Sequence, residues 1–135
     1  MGHYRIKLPD GGEISEIDLE PLSDGRYRAL EHPLLTDAFG LHDILECDEG
    51  NPSFLRIVRV VERGPWRTLC FGLSQTMMDS TELGVELDQL IVRGGNWDRV
   101  FGGMLFIHIP RCRFRTVGYP FVRWIRRQGW GRNNA

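Results

Sequence analysis

The sequence predicts an α+β domain, a mostly β N-terminal half followed by a split-βαβ (ferredoxin-like) layer with two helices. Three observations lead there. Before residue 64, short apolar–polar alternations are separated by clusters of Gly, Pro, Asp and Ser. The run Phe54–Glu62 holds Leu55, Ile57, Val58, Val60 and Val61, the β-branched content of a central strand. Apolar residues three and four apart, the helical period, begin only after Asp79.

His3–Lys7 is a short strand closed by the turn cluster Pro9-Asp10-Gly11-Gly12. Ile14 stands among acidic residues, and Ile17 and Leu19 alternate with Asp18 and Glu20, as in a strand with one wet face. Ser23-Asp24-Gly25 is a tight turn, and Arg26–Leu30 leaves it as a strand that His32-Pro33 stops, because proline lacks an amide donor and restrains its predecessor. Asp43–Asp48 alternates apolar and acidic residues, so Ile44 or Leu45 faces inward and the carboxylates face water. Asp48–Pro52 turns the chain into Phe54–Glu62. Gly64-Pro65 then reads as a hairpin turn pairing that strand with Trp66–Phe71, and Met104–Ile109 is expected in the same antiparallel sheet.

Asp79-Ser80-Thr81-Glu82 has the form of a capping box, Asp79 accepting from first-turn amides and Glu82 reaching back. The helix it opens, Ser80–Arg93, presents Leu83, Leu87, Leu90 and Ile91 as one stripe to the sheet. Gly84 weakens it by about 1 kcal/mol relative to Ala. Gly94-Gly95 closes it with a left-handed residue. A last helix spans Pro120–Gln128, with Pro120 in its first turn and Gly129 as its stop.

The length of 135 residues suits a single domain over residues 1–135, and 41% apolar and 26% charged residues are ordinary globular values. No apolar run approaches the roughly 18–20 residues that span a bilayer, and Met1–Leu8 lacks the apolar stretch of an export signal. Cys47, Cys70 and Cys112 are an odd number of isolated thiols, which points to reduced, packed side chains and a cytoplasmic protein. The net charge of −1 hides an asymmetry: residues 1–63 hold 13 acidic and 7 basic groups, and residues 64–135 hold 5 acidic and 10 basic. Such a split can orient a charged partner.

Several segments resemble an uncharacterised bacterial family, the domain of unknown function 4265. They are Pro21–Arg28 (PLSDGRYR), His32-Pro33, Gly40–Glu46 (GLHDILE) and Phe54–Arg63 (FLRIVRVVER). Order and spacing are similar over about residues 13–75 and more loosely to residue 110. The Arg- and Trp-rich ending departs from the pattern. The resemblance implies no activity; it implies an accessory or partner-binding protein.

Candidate catalytic and metal groups are few. His108 and Cys112 lie four apart, with His42 and Cys47 elsewhere, but zinc sites usually show two close ligand pairs, and here Pro110 separates one pair. No metal or cofactor is expected. Cys70 or Cys112 with His108 could be drawn as a nucleophile and base, yet nothing in the sequence sets them side by side. Gly102-Gly103 lacks the context of a phosphate loop and reads as a turn. The expected function is therefore that of a non-enzymatic protein-binding or inhibitory protein, such as an immunity protein that neutralises a cognate basic toxin or nuclease. Asp37, Asp43, Glu46, Asp48 and Glu49 would form its docking face.

The alternative is an RNA- or DNA-binding module at the C-terminus. There Arg111, Arg113, Arg115, Arg123, Arg126, Arg127 and Arg132 interleave with Phe114, Tyr119, Phe121, Trp124 and Trp130. Arg115, Arg123, Arg126 and Arg127 are its candidate contacts. At about 100° per residue, Phe121, Trp124 and Ile125 fall on one side of the helix and Arg123, Arg126 and Arg127 on the other, so the aromatics also read as core. An enzyme whose site carries no recognisable motif is the third reading.

Overall fold

The computed structural model describes residues 2–9, 12–34, 36–100 and 103–129. The expectations for Asp10, Gly11, Gly102, Trp130 and Arg132 fall outside these residues. The fold is α+β, and the chain divides into two compact units, Met1–Trp66 and Arg67–Ala135. Gly64, Pro65 and Trp66 are uncharged, so the charge asymmetry follows this boundary: the first unit carries a net −6 and the second a net +5.

The first unit is a closed barrel of five strands: β1 (Gly2–Lys7), β2 (Ile14–Pro21), β3 (Arg26–Ala29), β4 (Ile44–Asp48) and β5 (Leu55–Glu62). Each strand pairs antiparallel with the next. In a meander with an odd number of strands the first and last run the same way, so β1 closes on β5 in parallel, Ile6 opposite Leu55. The two-residue alternation read in β2 holds: Ile17 and Leu19 are buried beside Ile6, Tyr27, Ala29, Phe39, Leu45, Cys47 and Ile57. The β2–β3 turn has Asp24 at φ 59 and Gly25 at φ 73, and the Arg26 amide donates to the Ser23 carbonyl at 3.2 Å. Left-handed backbone at both central residues makes this the turn whose twist matches the strands it joins.

The hairpin expected between Phe54–Glu62 and Trp66–Phe71 does not form. Barrel closure occupies both edges of β5, one with β4 and one with β1, leaving no edge for the following strand. That strand, β6 (Trp66–Gly72), belongs to a separate three-stranded sheet ordered β6-β8-β7 with β7 (Asn96–Val100) and β8 (Met104–Pro110).

The second unit has the split-βαβ form. The chain leaves β6, passes through α1 (Gln75–Met78) and α2 (Thr81–Val92), and enters β7, while β8 lies between β6 and β7. Strand β7 was not anticipated, since Asn96-Trp97-Asp98-Arg99-Val100 holds only two apolar residues. Leu105 to Ile109 are all buried, as befits a middle strand. The cap of α2 is Ser80, whose hydroxyl accepts from the Leu83 amide at 3.2 Å; Asp79 instead ends α1. Leu83, Leu87 and Leu90 pack inward, but Ile91 is 49% exposed, so the stripe is one residue narrower than expected. Gly94, at φ +102, donates to Ile91, and Gly95 donates to Leu90, which satisfies two terminal carbonyls.

After β8 come a 3-10 turn (Arg111–Arg113), a π-helical turn (Phe114–Gly118) and α3 (Tyr119–Arg127). Phe121 and Ile125 of α3 join the core with Leu87, Leu90, Ile107 and Ile109. Gly118 is required by a close approach: a Cβ there would stand 2.3 Å from Cδ1 of Ile109. Among the described residues, no helix is long and apolar enough to cross a membrane.

Candidate functional site

Of the five carboxylates expected at a docking face, Asp43 does not reach the surface. Asp43 is 1% exposed, a correction to the expectation that it faces water. It precedes β4 at a point where the chain turns through His42, whose φ is +63. One carboxylate oxygen accepts from the Gly64 amide at 2.6 Å; the other accepts from the Gly40 amide at 2.8 Å and from Arg63 at 3.2 Å. This side chain joins two loops and holds the fold.

Glu46 and Asp48 share the outer side of β4, where β5 answers their charge. Arg59 meets Glu46 at 3.2 Å and Arg56 meets Asp48 at 3.0 Å. The Gly50 amide, with Arg56, holds the Asp48 carboxyl below its usual range. Glu49 lies near Tyr27, whose phenol is pushed up to about 12 by burial and then by the Glu49 charge. Asp37 and Glu49 are exposed.

Both ring nitrogens of His108 are engaged, Nδ1 with the Thr68 hydroxyl at 2.8 Å and Nε2 with the Asp98 carboxylate at 2.7 Å. Thr68, His108 and Asp98 lie on β6, β8 and β7, so this is a polar row across the sheet. The order of hydroxyl, imidazole and carboxylate is that of a catalytic triad. The imidazole is fully buried, however, which suits cross-strand bonding better than proton transfer to a substrate. His42 accepts from the Trp66 indole at 3.0 Å, and Cys47 belongs to the barrel core. No group of three potential metal ligands exists among the described residues.

The cysteines are free thiols, Cys47 buried and Cys70 and Cys112 exposed. Burial pushes the Cys47 thiol up to about 12 and raises that of Cys70 less. Reaction requires the thiolate. A disulfide reagent at mildly alkaline pH is therefore expected to modify the exposed Cys70 and Cys112 in the folded protein, and Cys47 only on unfolding. Labelling followed by peptide mass spectrometry checks this, and early modification of Cys47 would contradict the barrel core.

The basic candidates fare differently. Arg115, Arg123, Arg126 and Arg127 are all exposed, and none pairs with a described carboxylate. The sequence explains why: no acidic residue follows Asp98. The helical period placed the aromatics correctly, since Phe121 and Ile125 are buried, Trp124 is half-buried and the arginines point outward.

The π-helical turn is the feature that the sequence did not disclose. Its i→i+5 bonding, with the Tyr119 amide donating to the Phe114 carbonyl, brings residues five apart to one side of the chain. An α-helix would set them about 140° apart at 100° per residue. Phe114, Arg115 and Tyr119 thus line one groove of about 450 Å³. The Arg67 guanidinium lies 4.2 Å from the centre of the Phe114 ring, and that of Arg123 lies 5.3 Å from the Tyr119 ring. Tyr119 is 48% exposed. Arg115 and Tyr119 of one short segment, with Arg123 close by, thus stand at an open groove.

No family model matches the chain, and no curated protein matches it. A solved structure, described as a novel crystal structure of a hypothetical protein from Neisseria gonorrhoeae, is similar over 94% of this chain and 87% of its own, with a TM-score of 0.68 and 13% identity. At that identity the likeness is one of fold.

Proposed function

We propose that this chain is a non-enzymatic nucleic-acid-binding protein that grips an RNA backbone through Arg115, Arg123, Arg126 and Arg127. One observation carries the reading: these arginines are exposed on a segment without an acidic side chain, beside a groove lined by Phe114, Arg115 and Tyr119. Phosphate is the ligand that uncompensated guanidinium groups bind best, in forked geometry. The free thiols agree with work in a reducing cytoplasm. The test is a gel shift of a short labelled oligoribonucleotide over a salt series. Binding that weakens steeply with salt is expected; absence of binding at low salt would overturn the reading.

A second reading keeps the acidic barrel as a dock for a basic protein such as a toxin or nuclease. Its support is the net −6 of the first unit, with Asp37 and Glu49 exposed. It is the weaker one because Asp43 is internal and both Glu46 and Asp48 are paired with arginines. The resemblance to the domain of unknown function 4265 bears equally on both readings, since it implies a partner and not its class.

A further inference from the structure

We infer that the groove between Phe114 and Tyr119 receives an unpaired base, so that the ligand of this protein is single-stranded RNA. The inference rests on the nucleic-acid reading and adds to it the part of the nucleotide that is recognised. Phosphate binding alone needs no aromatic side chain, and of the aromatic residues of α3 Phe121 lies inside. Tyr119 instead stands 48% exposed at the first turn of α3.

The backbone departs from regular helix just where it must to bring the Tyr119 and Phe114 rings to the same groove. Insertions that shift a helix to i→i+5 bonding are rare and are frequent at functional sites. Each ring already carries a guanidinium over it, from Arg67 and from Arg123. Phe114 packs against the core and under Arg67, so a base entering the groove would meet the exposed part of Tyr119, and its phosphates would meet the charge of Arg115 and Arg123.

The volume of about 450 Å³ lies within the range of small-ligand sites. A duplex cannot use such a groove, because its bases are stacked inside and its accessible surface is phosphate and groove edge. Single strands expose base faces, and stacking on aromatic side chains accepts any base. The class predicted is therefore single-stranded, with little preference for sequence.

The experiment measures fluorescence anisotropy of the full chain with three ligands of equal phosphate count. They are an oligouridylate of about a dozen nucleotides, the same oligomer with abasic sites, and an RNA duplex. Two exposed-site variants are used, Tyr119→Ala and Tyr119→Phe, with circular dichroism melting to show that both are folded. The unsubstituted protein should bind the oligouridylate about tenfold tighter than the abasic oligomer. Tyr119→Ala should remove that difference, and Tyr119→Phe, which keeps the ring, should restore it.

Equal affinity for base-bearing and abasic oligomers would overturn the stacking inference while the phosphate-binding reading stands. Duplex bound as tightly as single strand would do the same. Failure to bind any of the three would overturn both, as would capture by anionic lipid vesicles without affinity for an oligonucleotide.

Discussion

Replacing Asp43 by alanine is expected to destabilise the protein by about 3–5 kcal/mol, although the residue belongs to no strand or helix. Its carboxylate accepts from the Gly64 amide at 2.6 Å and the Gly40 amide at 2.8 Å, at a site 1% exposed. A hydrogen bond to a charged group contributes about 1.5–3 kcal/mol, and alanine would take the carboxylate away from the buried Gly64 amide and the half-buried Gly40 amide. The Arg63 contact adds little, because that side chain is 57% exposed and screened by water.

The surroundings cannot close over the gap. A Cβ on Gly64 would stand 2.5 Å from the Leu41 carbonyl oxygen, so the two loops are already in tight contact, and His42 sits in the left-handed region. Asn is expected to restore only part of the loss, since it offers one acceptor oxygen and turns an NH2 toward an amide donor. Urea denaturation checks this. A loss below about 1 kcal/mol for Asp43→Ala would show that the two loops do not depend on it, whereas Glu46→Ala and Asp48→Ala, at exposed ion pairs, should each lie within about 1 kcal/mol of the unsubstituted protein.

Asp43 also marks where the sequence stopped being legible. The alternation through Asp43-Ile44-Leu45-Glu46-Cys47-Asp48 is a two-residue period that leaves Ile44 or Leu45 as the inward residue; the structure buries Leu45 and Cys47 and keeps Glu46 and Asp48 on the outer side. The alternation misplaced Asp43, which it set facing water, because that residue precedes the strand and its role is set by a glycine 21 positions later. The same limit explains the false hairpin. Gly64-Pro65 carries a true turn signal, but the strand after it pairs with β8, about 40 residues on, because β1 returned to take the free edge of β5. Local pattern gives elements; edge occupancy is a property of the whole barrel.

In the second unit the period of α2 was clear, yet it could not separate Leu90, fully buried, from Ile91, half-exposed, since both fall within one broad stripe. The candidate site was partly visible. Composition showed the arginine-rich ending, and the helical period set the arginines of α3 apart from its core residues. The groove was hidden because it depends on a π-helical turn, and no composition signals that turn. Only Gly118, the one small residue between Phe114 and Tyr119, hints at the close packing against Ile109 that accompanies it.

The arginines of α3 carry the largest expected effect on binding. Changing Arg123, Arg126 and Arg127 together to alanine should lower affinity for a single-stranded oligoribonucleotide by about a hundredfold near 0.1 M salt. Each phosphate neutralised on a single strand contributes about 0.7 to the slope of log K against log salt. At 0.1 M salt that corresponds to a factor of about five per contact, and three contacts multiply to roughly a hundred. The slope itself should fall by about 2 if all three meet phosphate.

The fold should survive, because the three side chains are exposed and form no described ion pair, and surface changes of this kind usually stay within about 0.5 kcal/mol. Glu46→Lys with Asp48→Lys supplies the opposing test, now without Asp43, whose replacement would confuse binding with unfolding. If a basic protein is the partner, that pair should slow association and the arginine variant should not. If RNA is the ligand, the arginine variant loses affinity and salt dependence together while the acidic pair retains binding. An unchanged salt slope in the arginine variant would place the phosphate contacts elsewhere and remove the ground for assigning this face to nucleic acid.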